Sequence, residues 1–340
     1  MKLKDVCIKG TSNIRQKDVN DSGRYPVYGA AGPVGFMNSF QYDEPYVGVV
    51  KDGAGIGRAT YLPSNSSIIG TMQALIPKKN VLPKYLYYAV SSMHLEKYYS
   101  GATIPHIYFK NYKHERFVLV SKKEQEQIIW RFSLLEKMIS NKQQQLLKLD
   151  ELIKARFVEM FGDPIINNKN IKKKKLGDIC LLKAGDFTPS KKISPVKTSI
   201  NKYPCFGGNG IRGYVDNYTH QGNYSLIGRQ GALCGNVKFA TGKFRNTEHA
   251  ILVSPNIEIN SRWLFELLNL EKLNRFRSGA AQPGLAVKTL NEIIVPVADL
   301  NSQNEYANFV QQVDKSKVVI QKSLDETQKL YDSLMQEYFG

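Results

Sequence analysis

The chain repeats itself at a constant distance. Tyr25-Pro26 with Gly29 returns as Tyr203-Pro204 with Gly207, and Gly53-Ala54 with Gly57 as Gly231-Ala232 with Gly235. Ser100-Gly101-Ala102 with Pro105 reappears as Ser278-Gly279-Ala280 with Pro283, and Phe161-Gly162 as Phe339-Gly340. The differences 203−25, 231−53, 279−101 and 339−161 all equal 178. Near the N-terminus Leu3, Asp5 and Cys7 are echoed by Leu176, Asp178 and Cys180. A register held this strictly restricts the fold to two copies of one architecture.

Each copy ends in a heptad pattern. Ile128, Phe132, Leu135, Ile139, Lys142, Leu146, Leu149, Ile153, Arg156 and Met160 fall at alternating steps of four and three, and Lys122 to Phe161 contains no Gly or Pro. At about 1.5 Å per residue such a helix runs roughly 60 Å, far beyond the usual globular helix. The same register places a second seam on Tyr306, Val310, Val313, Lys317, Ile320, Leu324, Thr327, Tyr331, Leu334 and Tyr338. A homodimeric coiled coil is the first expectation for one such helix. Two in one chain are expected to pair with each other, with Lys142 and Lys317 as polar marks that fix the register.

Ahead of each helix, short apolar and β-branched runs are cut by Gly, Pro and Asn, as in YPVYGAAGPVGF and GTMQALIP. They read as strands and tight turns, with a helical insert at Pro83 to Tyr99 and a last strand near Phe117 to Val120. The expected fold class is α+β: two tandem globular domains separated by two long antiparallel coiled-coil helices, with pseudo-two-fold symmetry. The boundaries are a domain at 1–120, a helix at 121–162, a polar linker at 163–174, a second domain at 175–298 and a second helix at 299–340.

With 340 residues and 42% hydrophobic content, each half can bury its own core. Four scattered cysteines without CxxC or Cys/His spacing support neither a zinc site nor a disulfide framework. No apolar run of membrane-spanning length and no signal-peptide core is present, so a cytoplasmic protein is expected. The charge is more telling. Lys and Arg number 47 against 30 Asp and Glu, a net +17 that favours a polyanionic partner, nucleic acid first.

No catalytic constellation emerges. Gly208, Gly210 and Gly213 spell GxGxxG, but YVDNY follows in place of an amphipathic helix, so the glycines are turn formers. There is no Walker A lysine, no NPPY-type motif of an amino-methyltransferase, and no metal-ligand pattern around the five histidines. No catalytic residue and no metal ligand is assigned.

Basic and aromatic residues interleave at His94 to Arg116 and at Leu270 to Lys288. Positions basic in both copies are candidates for phosphate contacts: Lys51 with Arg229, Lys97 with Arg275, Lys110 with Lys288, and Arg24 with Lys202. Equivalent positions that differ are candidates for base readout: Asp52 against Gln230, Arg58 against Asn236, Tyr99 against Arg277, and Val34 against Arg212. The Lys172 to Lys175 run reads as a solvated linker face.

The paired patterns YPVYGAAGPVGF and YPCFGGNGIRGY, the turns GAGIGR and GALCGN, the SGATIP and SGAAQP loops, the Gln-containing helix entries KKEQEQI and LNSQNEY, and RFVEMFGDP resemble the DNA-specificity subunit of type I restriction-modification systems. The resemblance covers essentially the whole chain. It implies two target-recognition domains, each binding one half of a split site on double-stranded DNA, in a subunit that is not itself catalytic and binds no cofactor. It further implies two methyltransferase subunits that use S-adenosylmethionine on adenine, and restriction/translocase subunits that use ATP and Mg2+, with the helices as ruler and docking platform and no membrane partner. SGAAQP lacks the Ile of SGATIP, and the second helix is more polar than the first. From the residues alone, a stand-alone nucleic-acid-binding or scaffold protein and an enzyme with an unrecognised site remain open.

Overall fold

The computed structural model describes residues 1–101, 105–279 and 283–340. The chain divides into two compact units: Met1–Gln144 with Gln321–Gly340, and Gln145–Ile320.

Unit 1 runs α1 (Leu3–Val6), β1 (Cys7–Gly10), β2 (Tyr25–Gly29), β3 (Gly32–Met37), β4 (Tyr46–Val50), β5 (Ala59–Leu62), β6 (Ser67–Ile68), β7 (Met72–Pro77), α2 (Pro83–Ser92), α3 (Phe109–Tyr112) and the first part of α4 (Lys122–Phe161). Unit 2 takes the rest of α4, then β8 (Lys173–Lys175), α5 (Leu176–Ile179), β9 (Cys180–Ala184), β10 (Tyr203–Gly207), β11 (Gly210–Val215), β12 (His220–Gly228), β13 (Val237–Asn246), β14 (Ala250–Pro255), α6 (Ser261–Leu270), α7 (Val287–Asn291), β15 (Ile294–Pro296) and the first part of α8 (Leu300–Phe339). The last part of α8 returns to unit 1. Strands β2, β3 and β7 and helices α2 and α4 each recur 178 residues later as β10, β11, β14, α6 and α8. The mixed helix-and-sheet fold with two repeated domains and two long helices is thus as the sequence leads one to expect.

The two heads differ in how far their sheets run. Unit 1 has a four-stranded sheet, β1-β7-β4-β5, and a three-stranded one, β3-β2-β6. Unit 2 merges the corresponding strands into one six-stranded sheet, β11-β10-β13-β12-β14-β9. Two prolines account for this. Asn223 and Thr241 are partners in the β12–β13 ladder, and their counterparts in unit 1 are Pro45 and Pro63. Proline has no N–H to donate, so the ladder stops there and β4 and β5 end short.

Each head closes over its own core. In unit 1, Tyr85, Tyr88 and Phe117 from the head pack with Phe132 of α4 and with Tyr331 and Phe339 of α8. In unit 2, Trp263 of α6 meets Phe157 and Phe161 of α4 and Tyr306 of α8 joins them. Full burial of an aromatic of this size stabilises by about 1.5–3 kcal/mol.

Within each unit the helix segments run antiparallel. Phe132 meets Tyr331 and Tyr338 in unit 1 while Lys142 reaches Thr327, and in unit 2 Lys317 pairs with Asp150 while Phe157 meets Tyr306. Of the seam positions, Ile128, Phe132, Leu135, Ile153, Val310 and Val313 are buried, and Ile139, Leu146, Leu149, Ile320, Leu324 and Leu334 are half-buried. The polar seam positions have partners inside their own unit: Lys142 Nζ donates to Thr327 Oγ1 at 2.7 Å, and Arg156 pairs with Glu159 and Glu305, each at 3.0 Å.

Two local expectations change. The stretch near Phe117 to Val120 is not a strand; Arg116 makes a single bridge to Lys2. Conversely, Lys173–Lys175, expected as the end of a solvated linker, forms β8 and pairs with β15. A strand needs only a backbone partner, which Ile294–Pro296 supplies.

Candidate nucleic-acid interface

Three segments of each head are tied into one surface, and the backbone ties repeat bond for bond. In unit 1, Gly53 N–H donates to Pro105 O at 3.0 Å and Ile107 N–H to Lys51 O at 2.8 Å, while Ser100 and His106 exchange two bonds of 2.8 Å. In unit 2, Gly231 donates to Pro283 O at 2.9 Å, Leu285 to Arg229 O at 2.9 Å, and Ser278 and Gly284 exchange bonds of 2.9 and 2.8 Å. Gly57 and Gly235 set how closely the glycine loop lies on the turn below. Each has φ above +80°, and a Cβ there would stand 2.4 Å from the backbone nitrogen of Glu96 or Asn274. The third segment is the hairpin turn. The Arg58 guanidinium donates to Ala30 O, and in unit 2 Asn236 Nδ2 donates to Asn209 Oδ1 at 3.1 Å.

This scaffold sorts the candidate residues. It gathers Lys51, Arg58, Tyr99 and Lys110 in unit 1, and Arg212, Arg229, Gln230, Asn236, Arg277 and Lys288 in unit 2, all exposed or half-buried. The Arg212 stem covers Gly207, where a Cβ would meet its Cδ at 2.5 Å. Lys110 Nζ lies 5.5 Å from the centre of the Tyr108 ring. Arg58 and Asn236, singled out for readout, also stitch the glycine loop to the hairpin turn. The SGATIP and SGAAQP loops fall partly on residues 102–104 and 280–282, outside the described residues.

Two pairs stand apart. Lys97 Nζ is 2.6 Å from Glu115, and Arg275 Nη2 is 2.6 Å from Glu271, whose side chain is 1% exposed. Burial alone would raise the Glu115 carboxyl, but Lys97 and the Tyr98 hydroxyl outweigh it and hold it below the usual range. Burial pushes Glu271 up against the opposing pull of Arg275. Both cations therefore neutralise a carboxylate of their own head, so their charge is partly spent before any phosphate approaches. Arg24 and Lys202 are exposed at the starts of β2 and β10, at the far end of those strands from the hairpin turn.

The structure adds His106 and Tyr108, which the sequence did not single out. His106 Nδ1 is 2.7 Å from Asp52 Oδ1, and the imidazole stacks on Tyr108 with centroids 6.3 Å apart. An isolated histidine carries no spacing signal; the antiparallel bridge between residues 52 and 106 brings it to the surface.

Among the described residues no cluster of three or more His, Cys, Asp or Glu is placed to hold a metal ion. All four cysteines are free and buried, and burial pushes the Cys7 and Cys180 thiols up to about 12, so neither is a thiolate at neutral pH. Among the described residues no helix is long and apolar enough to cross a membrane.

A family model described as the type I restriction modification DNA specificity domain matches residues 1–151 and 168–328. The chain belongs to this family. Among specificity subunits, it is 46% identical to that of the EcoprrI enzyme of Escherichia coli over 143 residues, 42% of this chain and 36% of the relative. The match thus spans about a third of that relative's length. A putative type I specificity subunit of Mycoplasma pneumoniae is 23% identical over 323 residues, 90% of this chain and 86% of the other. The crystal structure of a type I system S subunit from M. genitalium shares the fold, with a TM-score of 0.69 at 18% identity over 100% of this chain and 95% of that one. The family's specificity domain is thus matched twice along the chain, each match ending within one of the long helices.

Proposed function

We propose that this chain is the sequence-specific DNA-binding subunit of a type I restriction-modification complex, each unit reading one half of a bipartite target through its three-segment surface. One observation carries the reading. The two surfaces share a backbone scaffold bond for bond while their exposed side chains differ, as expected of two readers that meet the same duplex and recognise different bases. The basic residues on both surfaces and the net charge of +17 suit phosphate contact.

The chain performs no chemistry in this reading. It directs two methyltransferase subunits, which draw on S-adenosylmethionine, and restriction/translocase subunits, which draw on ATP and Mg2+. Trp130, Leu134 and Met138 support such docking: they lie one turn apart on one face of α4 and are exposed, Trp130 by 66%.

Mapping methylated adenine across the genome of cells with and without this chain tests the proposal. A split motif present only with the chain is expected. Identical maps, or capture of duplex DNA without any motif at every salt concentration, would reduce the chain to a binder of polyanions.

A further inference from the structure

The two surfaces part company at one point of their common scaffold. In unit 1 the backbone bridge between Asp52 and His106 is topped by their side chains, with Nδ1 2.7 Å from Oδ1 and with Lys51 Nζ 3.8 Å from Oδ2. In unit 2 the same bridge joins Gln230 to Gly284, leaving an exposed amide and no ring. A carboxylate can only accept, so the shared proton belongs to Nδ1 and the Asp52 oxygens face the surface as acceptors. Unit 1 therefore offers acceptors where unit 2 offers an amide that both donates and accepts.

We propose that the Asp52–His106 pair is a specificity-determining element that accepts a hydrogen bond from the exocyclic amino group of a base, adenine N6 or cytosine N4. The inference rests on the DNA-binding reading above. In the major groove only adenine and cytosine present an amino donor; guanine O6 and thymine O4 would face the pair acceptor to acceptor. Lys51 offsets the cost of bringing a carboxylate toward phosphates. Tyr108 fixes the imidazole plane, and the bridge fixes its height. Gln230 has both groups needed for bidentate pairing with adenine, so the two half-sites are read there by different chemistry.

Selection of a randomised duplex library by the intact chain tests this. The unaltered chain should enrich adenine or cytosine at one position of one half-site, and the enriched base says which amine is read. Asp52→Asn, which adds a donor at constant size, should lower that preference roughly tenfold or more and admit guanine or thymine. The double variant D52Q/H106G, which copies the unit 2 pair, should move the position toward the base selected at the matching position of the other half-site. That other half-site must stay unchanged throughout, and an unchanged thermal unfolding profile reports that each variant is folded. Variants that select the unaltered first half-site would overturn the role of the pair while leaving the DNA reading intact. An unaltered chain that enriches no split motif would overturn both.

Discussion

Gln125 and Gln303 hold their heads by the same two bonds. Gln125 Oε1 accepts from Leu82 N–H at 2.8 Å and its amide donates to Val120 O at 2.9 Å; Gln303 Oε1 accepts from Asn260 N–H at 2.8 Å and donates to Ala298 O at 2.8 Å. Both side chains are buried, at 0% and 1% exposure. Leu82 and Asn260 precede α2 and α6, so one glutamine near the start of each long helix caps a helix of the head above it. Ion pairs in the same register reinforce the joint: Lys84 with Glu136 at 3.3 Å, and Arg262 with Asp314 at 2.6 Å.

Replacing Gln303 by Leu leaves the half-buried Asn260 N–H and Ala298 carbonyl without this partner, and should cost about 1–3 kcal/mol. Of the two tryptophans, Trp130 is exposed in unit 1 and Trp263 is buried in unit 2. In a Trp130→Phe background, urea unfolding followed by Trp263 fluorescence reads the loss. An unmoved midpoint would mean that the glutamine fills space only.

The Lys142–Thr327 contact gives a cleaner separation of polarity from packing. Thr327→Val alone removes the hydroxyl that receives the ammonium at 2.7 Å and should destabilise by about 1–2 kcal/mol. Lys142→Met combined with Thr327→Val should cost less than the sum of the single changes, because neither polar group is left without a partner. A double-mutant cycle by denaturant unfolding measures the coupling; strict additivity would exclude it.

Glu271 makes the stability of unit 2 depend on pH. Burial raises its folded pKa above the unfolded one, and Arg275 opposes the rise. A carboxyl raised in this way favours the folded state below its unfolded pKa, and that contribution is lost as pH rises through the folded pKa. Arg275→Ala removes the counter-charge from a carboxylate 1% exposed, so the variant should be destabilised by about 3–5 kcal/mol near neutrality. The deficit should shrink as acidification protonates Glu271. Thermal unfolding at pH 7.5 and at pH 5 compares the two, and a deficit independent of pH would contradict the assignment.

Phosphate contacts and base contacts should separate in their salt dependence. Lys110→Ala and Lys288→Ala are expected to weaken binding to all duplexes alike and to flatten the slope of log K against log salt by about one unit. Arg212→Ala and Arg277→Ala should relax one position of the second half-site, at about 1–3 kcal/mol for a bidentate contact. Arg275→Ala, already tied to Glu271, should change the salt slope less than Lys288→Ala does. Fluorescence anisotropy over a salt series distinguishes these outcomes, and exchanged behaviour would reverse the sorting.

Much of the architecture could be read along the chain because it rests on periodicity. Alternating steps of four and three put Phe132 and Ile153 on the buried side of α4. The constant offset carried the same pattern to α8, and the Gly and Tyr-Pro matches marked the hairpins and glycine loops of both heads. The merged sheet of unit 2 was less accessible, since it depends on whether Pro45 and Pro63 have counterparts able to donate to a ladder.

The candidate surface was legible in part. The exposed basic positions could be paired through the repeat, but the partners that neutralise two of them could not. Glu115 lies 18 residues beyond Lys97, a spacing that announces no ion pair; Glu271 stands four residues before Arg275, an ordinary local spacing, but its burial could not be read along the chain. Nor could it be seen that His106 would stand over Asp52, 54 residues away.

The sequence by itself determined the repeat, the α+β class, the long helices and the sign of the charge, because periodicity, register and composition are properties of a line. The tertiary structure alone decided which charges remain available, which glutamines bind head to helix, and where the two surfaces differ. Hydrogen bonds and ion pairs act over about 3 Å, and only folding brings residues distant in the chain within that range.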